Sequence, residues 1–286
     1  MIYIFTALYC EASLFIRQFH LTKNPENTRF QEFYNETAGI RLTVTGVGEI
    51  SAATAVSSVC TTYRPAQEDI LLNIGTCACR TKDSGIFLCN KIVEQATGKT
   101  FYPDILYHHD FCESTIVTGM LPYDRKSDGD ISVGASEGEL YDMEAAAVYQ
   151  AGSHFFGPHQ MVFIKLVSDR GTPESISTDQ VGQLLENVSD QLCSFVKQLN
   201  NMSSGHAQAE NSLHQELEAL TEQLCADLHC SKVMSDSLRQ HIRYFALSGT
   251  DVTSVIQEMY AKGMIPCKDK REGKLRFEEL KRRLFQ

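Results

Sequence analysis

The ten cysteines include no Cys-x-x-Cys pair, no basic segment precedes the apolar start at Ile2, and no apolar run is long enough to cross a bilayer. These absences argue against secretion and membrane insertion, and for a reducing cytoplasm. Metal-ligand spacing is missing as well. His108, His109, Asp110 and Cys112 stand close together, but adjacent histidines on an extended chain point to opposite faces, and no second ligand pair follows at metal spacing. Neither a metal nor an organic cofactor is expected. Basic residues interleaved with aromatics are also absent, so nucleic acid is not an expected partner.

What is present is the composition of a folded protein. At 286 residues, 43% hydrophobic and 22% charged, the chain can bury one large core, or one core and a small appendage. Its net charge of −10 is uneven, because residues 1–204 carry 14 Lys and Arg against 24 Asp and Glu whereas residues 205–286 carry 12 against 12. The acidity belongs to the first part.

Four apolar runs rich in β-formers read as strands. Ile2 to Cys10 is the first, with Glu11 directly after it and helical spacing from Glu11 to Phe19 at Leu14, Phe15 and Phe19. Ile40 to Val47 runs into Gly46-Val-Gly-Glu-Ile-Ser-Ala-Ala-Thr-Ala55, a glycine turn opening a helix, which presents amide N–H groups to a polar oxygen. Ile70 to Cys79 is expected to end in a small polar turn at Asn73 to Thr76, and Gln160 to Ser168 leads to Asp169, Arg170 and Gly171. Lys165, inside that last apolar run, is unusual, and it is expected either to reach the sheet edge or to pair with an acid. Strands alternating with helices predict a three-layer α/β/α sandwich with a mostly parallel or mixed central sheet. Ligands of such sheets collect outside the carboxyl ends of strands, where Glu11, Thr76 and Asp169 fall.

One further stretch organises the rest, Glu139-Leu-Tyr-Asp-Met-Glu-Ala-Ala-Ala-Val-Tyr149. Its spacing predicts a helix from about Met143, with Asp142 at the N-cap and Glu144 in the first turn. A carboxylate at the positive helix end is expected to stay ionised. The three alanines after it allow close packing on a sheet and leave room beside Glu144 for a ligand such as a sugar diol.

The segments Ala7 to Glu11, Gly46 to Ala53, Asn73-Ile-Gly-Thr76, Asp142-Met-Glu144 and Ser168-Asp169 together resemble the purine nucleoside phosphorylase and nucleosidase superfamily. The resemblance is greatest to its methylthioadenosine/S-adenosylhomocysteine nucleosidase branch and covers residues 1 to about 200. It implies a hydrolase that releases the base, adenine by preference, from nucleosides such as methylthioadenosine, S-adenosylhomocysteine or 5′-deoxyadenosine. By the same resemblance, Asp169 assists departure of the purine at N7, which asks for burial that keeps it partly protonated. Glu11 orients and deprotonates the attacking water. Glu144 accepts the ribose hydroxyls, Met143 packs on the sugar, Ser168 holds Asp169, and Gly75 and Thr76 belong to the same turn. The family's phosphorylases carry an arginine where this chain has Asn73, so water rather than phosphate is the expected nucleophile; Arg41, Arg64 and Arg80 are the remaining candidates for a phosphate partner.

The chain also departs from that pattern. Ala78 and Cys79 replace two glycines after the Asn73 segment, the stretch from Ile92 to Val117 is short, and Met120-Leu-Pro-Tyr123 stands where a base-stacking aromatic is expected, leaving Tyr123 as the candidate. A phosphorylase, or a nucleoside binder without turnover, are the alternative readings.

Beyond a helix from Thr178 to Leu199, the small polar residues Asn200 to His206 are expected to break the helix. The domains expected are residues 1–200 as the nucleosidase-like part, 201–209 as a linker and 210–286 as a helical appendage of four helices. Its apolar positions are Leu213, Leu217, Leu220, Leu224 and Leu228, then Leu238, Ile242 and Phe245, then Val252 to Met259 stopping at Gly263, and last Phe277 to Phe285. Cys225 and Cys230 around His229 read as buried helix residues. Lys262 to Gln286 holds nine Lys and Arg against four Asp and Glu, a solvated basic end of a module suited to a protein partner. The branch resembled is generally dimeric, which makes a homodimer the expectation.

Overall fold

The computed structural model describes residues 1–27, 29–124, 140–171, 177–247 and 252–284; the side chains of residues 204–217, 243, 246 and 247 are outside the description. Glu139, Leu213, Leu217 and Phe285, named above, therefore lie outside it. The chain forms two compact units, Met1–His206 and Ala207–Gln286.

In the first unit, β1 (Ile2–Thr6), α1 (Tyr9–Gln18), β2 (Thr22–Lys23), β3 (Gln31–Asn35), β4 (Ile40–Val44) and α2 (Glu49–Tyr63) come first. They are followed by β5 (Ile70–Cys79), β6 (Ile86–Glu94), β7 (Thr100–Phe101), β8 (Cys112–Thr118), β9 (Leu140–Asp142), α3 (Ala145–Gly152), β10 (Met161–Asp169) and α4 (Thr178–Asn187). The sheet they build is mixed. β1 pairs parallel with β4 and β5, and β10 pairs parallel with β5 and antiparallel with β6. Because β6, β8, β9 and β5 follow one another in the ladder, the β10–β5 pairing closes that part of the sheet on itself.

Strand alternation sends neighbouring side chains to opposite faces. Ile2 and Ile4 of β1 join a core with Ala12, Leu14 and Phe15 of α1, whereas Tyr3 and Phe5 join one with Ala52, Val56 and Val59 of α2 and the alanines of α3. Helices thus cover both faces. Phe5, Phe15 and Phe163 are fully buried, and burial of each such side chain contributes roughly 1.5–3 kcal/mol. The alanines of α3 are buried in this core, and at its far end Gly152 packs closely, since a Cβ there would meet Leu71 Cδ1 at 2.8 Å.

Three boundaries differ from the sequence reading. β1 ends at Thr6, and Glu11 sits in the first turn of α1 instead of directly after a strand. Asn73 to Thr76 is not a turn but the middle of β5, because β10 pairs with it throughout and β1 reaches its other side at Asn73. The helix break falls at Val188, and α5 (Ser189–Asp227) runs on through Asn200 to His206. Polar residues weaken a helix by roughly half a kcal/mol each, and here they have partners: Asn200 donates to the Ala38 carbonyl, and Ser203 Oγ lies 3.2 Å from the Met1 amino group.

The second unit contains, after the C-terminal part of α5, the helices α6 (Lys232–Leu247), α7 (Val252–Ala261) and α8 (Lys270–Leu284). Leu224, Leu228, Leu238, Ile242, Ile256, Met259, Phe277 and Leu280 form its core. The stop at Gly263 has the expected form, with φ +63° and the Met264 amide bonded to the Met259 carbonyl. Cys225 and Cys230 are half-buried, not buried; Cys230 lies past the end of α5, where the Cys230 amide bonds to the Cys225 carbonyl and His229 takes φ +49°. Among the described residues no helix is long and apolar enough to cross a membrane, and no three His, Cys, Asp or Glu side chains are arranged to hold a metal ion. His108 and His109 do diverge, with side chains 89% and 11% exposed.

Candidate active site

Glu11 is 2% exposed and held from two elements. Its Oε2 accepts the amides of Ala7 and Leu8, both at 3.0 Å, and its Oε1 accepts the Thr76 amide at 2.7 Å and the Thr76 hydroxyl at 2.9 Å. Four donors match the lone-pair capacity of one carboxylate. Gly75 makes room for this seat, since a Cβ there would stand 3.3 Å from Oε1.

Beside it lies a charged knot formed by β9, β10 and α3. Lys165 Nζ is 2.8 Å from Asp142 Oδ2, and the two side chains are 1% and 0% exposed. The same Oδ2 accepts the Ala145 amide, while Oδ1 accepts the Thr118 hydroxyl, whose oxygen in turn accepts the Ala146 amide. The N-cap is therefore Glu144 and not Asp142 as expected, since α3 starts at Ala145, but Asp142 still accepts the first amide of the helix. Burial alone would pull Lys165 down, but the Asp142 and Glu144 carboxylates outweigh it and hold the ammonium above its ordinary range.

Glu144 Oε1 accepts the Gly48 amide at 2.8 Å, so the glycine turn before α2 does present an N–H to a carboxylate, one belonging to the protein itself. The expectation that this carboxylate stays ionised holds only in part: burial, then the negative charge of Asp142, push its pKa up to about 7, while Lys165 and the Gly48 amide lower it and Glu11 raises it. Desolvation outweighs the helix-end field because the first turn of α3 is buried.

Asp169 ends β10, opposite Ala78 after a bulge in the ladder. Its Oδ1 accepts the Gly171 amide at 2.7 Å, and the Ser168 hydroxyl lies 2.9 Å from its Oδ2 and 3.1 Å from the Cys77 carbonyl. Ser168 thus does brace Asp169. Asp169 is half-buried, short of the enclosure expected for it, because it lies at the open end of β10. Tyr123 reaches the same turn, touching Gly171, but Tyr141 covers one face of its ring at 4.1 Å and 8°. Tyr141 and Gly171 thus both pack against this ring.

The expected residues Glu11, Gly75, Thr76, Met143, Glu144, Ser168 and Asp169 all fall where β5, β9 and β10 meet the starts of α1 and α3, with Tyr123 at the border. Lys165, Thr118 and Tyr141 join them without having been singled out for the site. A lysine inside an apolar strand was the one available signal. Asn73 donates to the Phe5 carbonyl and is buried, and Arg41 is committed to Glu32, Glu36 and the Tyr63 ring. A separate cavity of about 390 Å³ between α2 and α3 is bordered by Glu49, Ile50, Ala147 and Gln150 and by none of the expected site residues.

No protein-family model and no curated protein matches the sequence. Solved structures do match the architecture. The Helicobacter pylori 5′-methylthioadenosine/S-adenosyl homocysteine nucleosidase superposes with a TM-score of 0.55 at 13% identity, over 70% of this chain and 97% of that one. The fold is that of the nucleosidases. The Neisseria meningitidis 5′-methylthioadenosine/S-adenosylhomocysteine nucleosidase, in complex with methylthio-immucillin-A, gives 0.53 at 17% identity over 71% and 97% of the two chains. The Campylobacter jejuni nucleosidase gives 0.56 at 12% identity over 69% and 98%. Identities this low establish the nucleosidase fold, and chemistry has to be argued from the residues themselves.

Proposed function

We propose that the nucleosidase-like unit, a three-layer α/β/α domain, hydrolyses the N-ribosidic bond of purine nucleosides. Adenine nucleosides such as methylthioadenosine, S-adenosylhomocysteine and 5′-deoxyadenosine are the substrate class. What supports the reading is that Glu11 is bound to Thr76 of β5, Glu144 precedes α3 and Asp169 ends β10 opposite Ala78 of β5, all within a nucleosidase fold. Breaking this bond passes through an oxocarbenium-like sugar, which calls for a donor to the departing base, a base for water and a hold on the ribose. Asp169, braced by Ser168, serves the base at N7. Glu11, seated by Gly75 and Thr76, serves the water. Glu144 accepts the ribose hydroxyls, with Met143 against the sugar and Tyr123 as the aromatic for the purine.

Water is favoured over phosphate. Asn73 brings no charge, and the two buried cations nearby are both taken, Arg41 by Glu32 and Lys165 by Asp142. A second reading, nucleoside binding without turnover, draws on the four donors that already fill Glu11. We further take the protein to work in the cytoplasm and as a homodimer; what supports the dimer is that Val47, Ile50, Met120 and Leu121, exposed by 50%, 82%, 68% and 79%, adjoin Gly48 and Gly119, which bond Glu144 and Asp142. The helical unit is left to bind a protein partner.

The test is incubation with methylthioadenosine, S-adenosylhomocysteine, 5′-deoxyadenosine, adenosine and inosine, with and without phosphate, while following free base. Base released equally without phosphate supports hydrolysis. Dependence on phosphate overturns it, and binding without release leaves the second reading.

A further inference from the structure

We propose that Lys165 is a positioning residue for the ribose-binding carboxylate: it fixes Asp142, Asp142 fixes the first turn of α3, and that turn presents Glu144. The inference rests on the proposed role of Glu144. Its geometry begins in the sheet, where Lys165 stands beside Gly75 of β5 and Phe87 of β6, both in the ladder of β10. The space left by the missing Gly75 side chain is filled by the Glu11 carboxylate, 3.3 Å from where a Cβ would stand, and the lysine stem reaches Asp142 of β9. Its ammonium ends 2.8 Å from Asp142 Oδ2, the atom that also accepts the Ala145 amide at 2.9 Å. One carboxylate oxygen thus joins a strand of the sheet to the start of the helix.

Stability alone does not account for this lysine. Replacing a buried ion pair by apolar groups of similar volume is often neutral or stabilising. A charge at this place does have a local consequence. Glu144 faces Asp142 from β9, Glu11 from α1, the Gly48 amide from the start of α2 and Lys165 from β10. Among these groups Lys165 is the one cation. It offsets the negative charge of Asp142 one turn away from the carboxylate that has to meet ribose hydroxyls in its ionised, accepting form. Without that cation, Glu144 holds its proton to higher pH and loses acceptor strength at neutrality.

The decisive variants are Lys165→Gln, which keeps a donor toward Asp142 but removes the charge, and Lys165→Arg, which keeps the charge. The first readout is the carbon-13 titration of the Glu144 carboxyl in ligand-free full-length protein. The second is methylthioadenosine binding and turnover between pH 5.5 and 9, values chosen as roughly symmetric about neutrality. Lys165→Gln is expected to move the Glu144 titration upward by about one pH unit or more, and to raise KM at pH 7 about tenfold while changing kcat less. Lys165→Arg is expected to stay within about threefold of the parent, the range of a retained charge pair. A Lys165→Gln protein that titrates and binds like the parent overturns the proposal. Should that variant not fold, Asp142→Asn carries the test from the other side: Glu144 then titrates at lower pH than in the parent, and an unchanged titration overturns the coupling. A parent protein that neither binds nor cleaves any purine nucleoside overturns the proposed function, and the ligand-free titration then decides the Lys165 coupling separately.

Discussion

The two units bury different things. In Met1–His206 the interior holds Glu11, Glu32, Arg41, Asn73, Asp142, Glu144 and Lys165, whereas in Ala207–Gln286 the single buried polar residue among those described is Thr221. The helical unit keeps its charges outside, in pairs such as Arg282–Glu279 and Lys262–Glu258 along exposed helix faces. Buried ions are costly unless paired, and exposed ion pairs contribute about 0–1 kcal/mol. The buried charges of the first unit comprise the Arg41–Glu32 pair and the groups around Glu144, whereas the described interior of the second unit is apolar packing with Thr221. Mutations should separate along the same line.

The largest effect is expected from Asp169→Asn, which should lower kcat by roughly 10²–10⁴-fold, the usual contribution of a proton-transferring group. Its thermal midpoint should stay near that of the parent; near-normal turnover would remove the assignment of Asp169. Next comes the structural ion pair of the same unit. Glu32 is pushed up by burial, but hydrogen bonds from Asn27, Asn24, Tyr63 and Arg41 outweigh that and hold it below its ordinary value. Arg41→Met leaves this charge buried without its cation and should cost about 3–5 kcal/mol in urea unfolding. In the helical unit Leu280→Ala should cost about 2–5 kcal/mol, yet leave base release per folded molecule unchanged. A loss of turnover there would erase the contrast between the units.

A smaller effect concerns pH. Glu144 titrates near 7 when folded, against an ordinary 4.5. Its raised value lowers stability progressively as pH climbs from 4.5 through about 7, because the unfolded chain gives up that proton first. A nucleoside that prefers the ionised carboxylate reverses the trend, so its affinity should fall by up to about tenfold per pH unit below neutrality and level off above it. Calorimetric titration across pH checks this, and a flat profile would detach Glu144 from the ribose. The smallest effect is expected from Arg282→Ala on α8, whose side chain is 68% exposed; its unfolding free energy should move by less than about 0.5 kcal/mol.

Much of the nucleosidase fold was legible because its strands are continuous apolar runs, and β4 and β10 fall within a few residues of where those runs predict them. The acidic residues were legible because each follows a strand or opens a helix. What stayed hidden was long-range. The pairing of Lys165 with Asp142 depends on β9, a strand of three residues too short to carry a period. Glu11 looked like the residue after a strand because Ile2 to Cys10 is apolar throughout, and only the packing of α1 decides that the helix begins at Tyr9. The continuity of α5 through Asn200 depends on partners such as the Ala38 carbonyl, 162 residues away along the chain.

The seat of Glu11 has one moving part. Three of its four donors are backbone amides locked in place by β5 and the start of α1, and only the Thr76 hydroxyl can swing, by one rotamer step of about 120°. On the proposed function, a water taking up one of these lone pairs displaces the Thr76 hydroxyl before any of the amides, since it is the donor not fixed by the backbone.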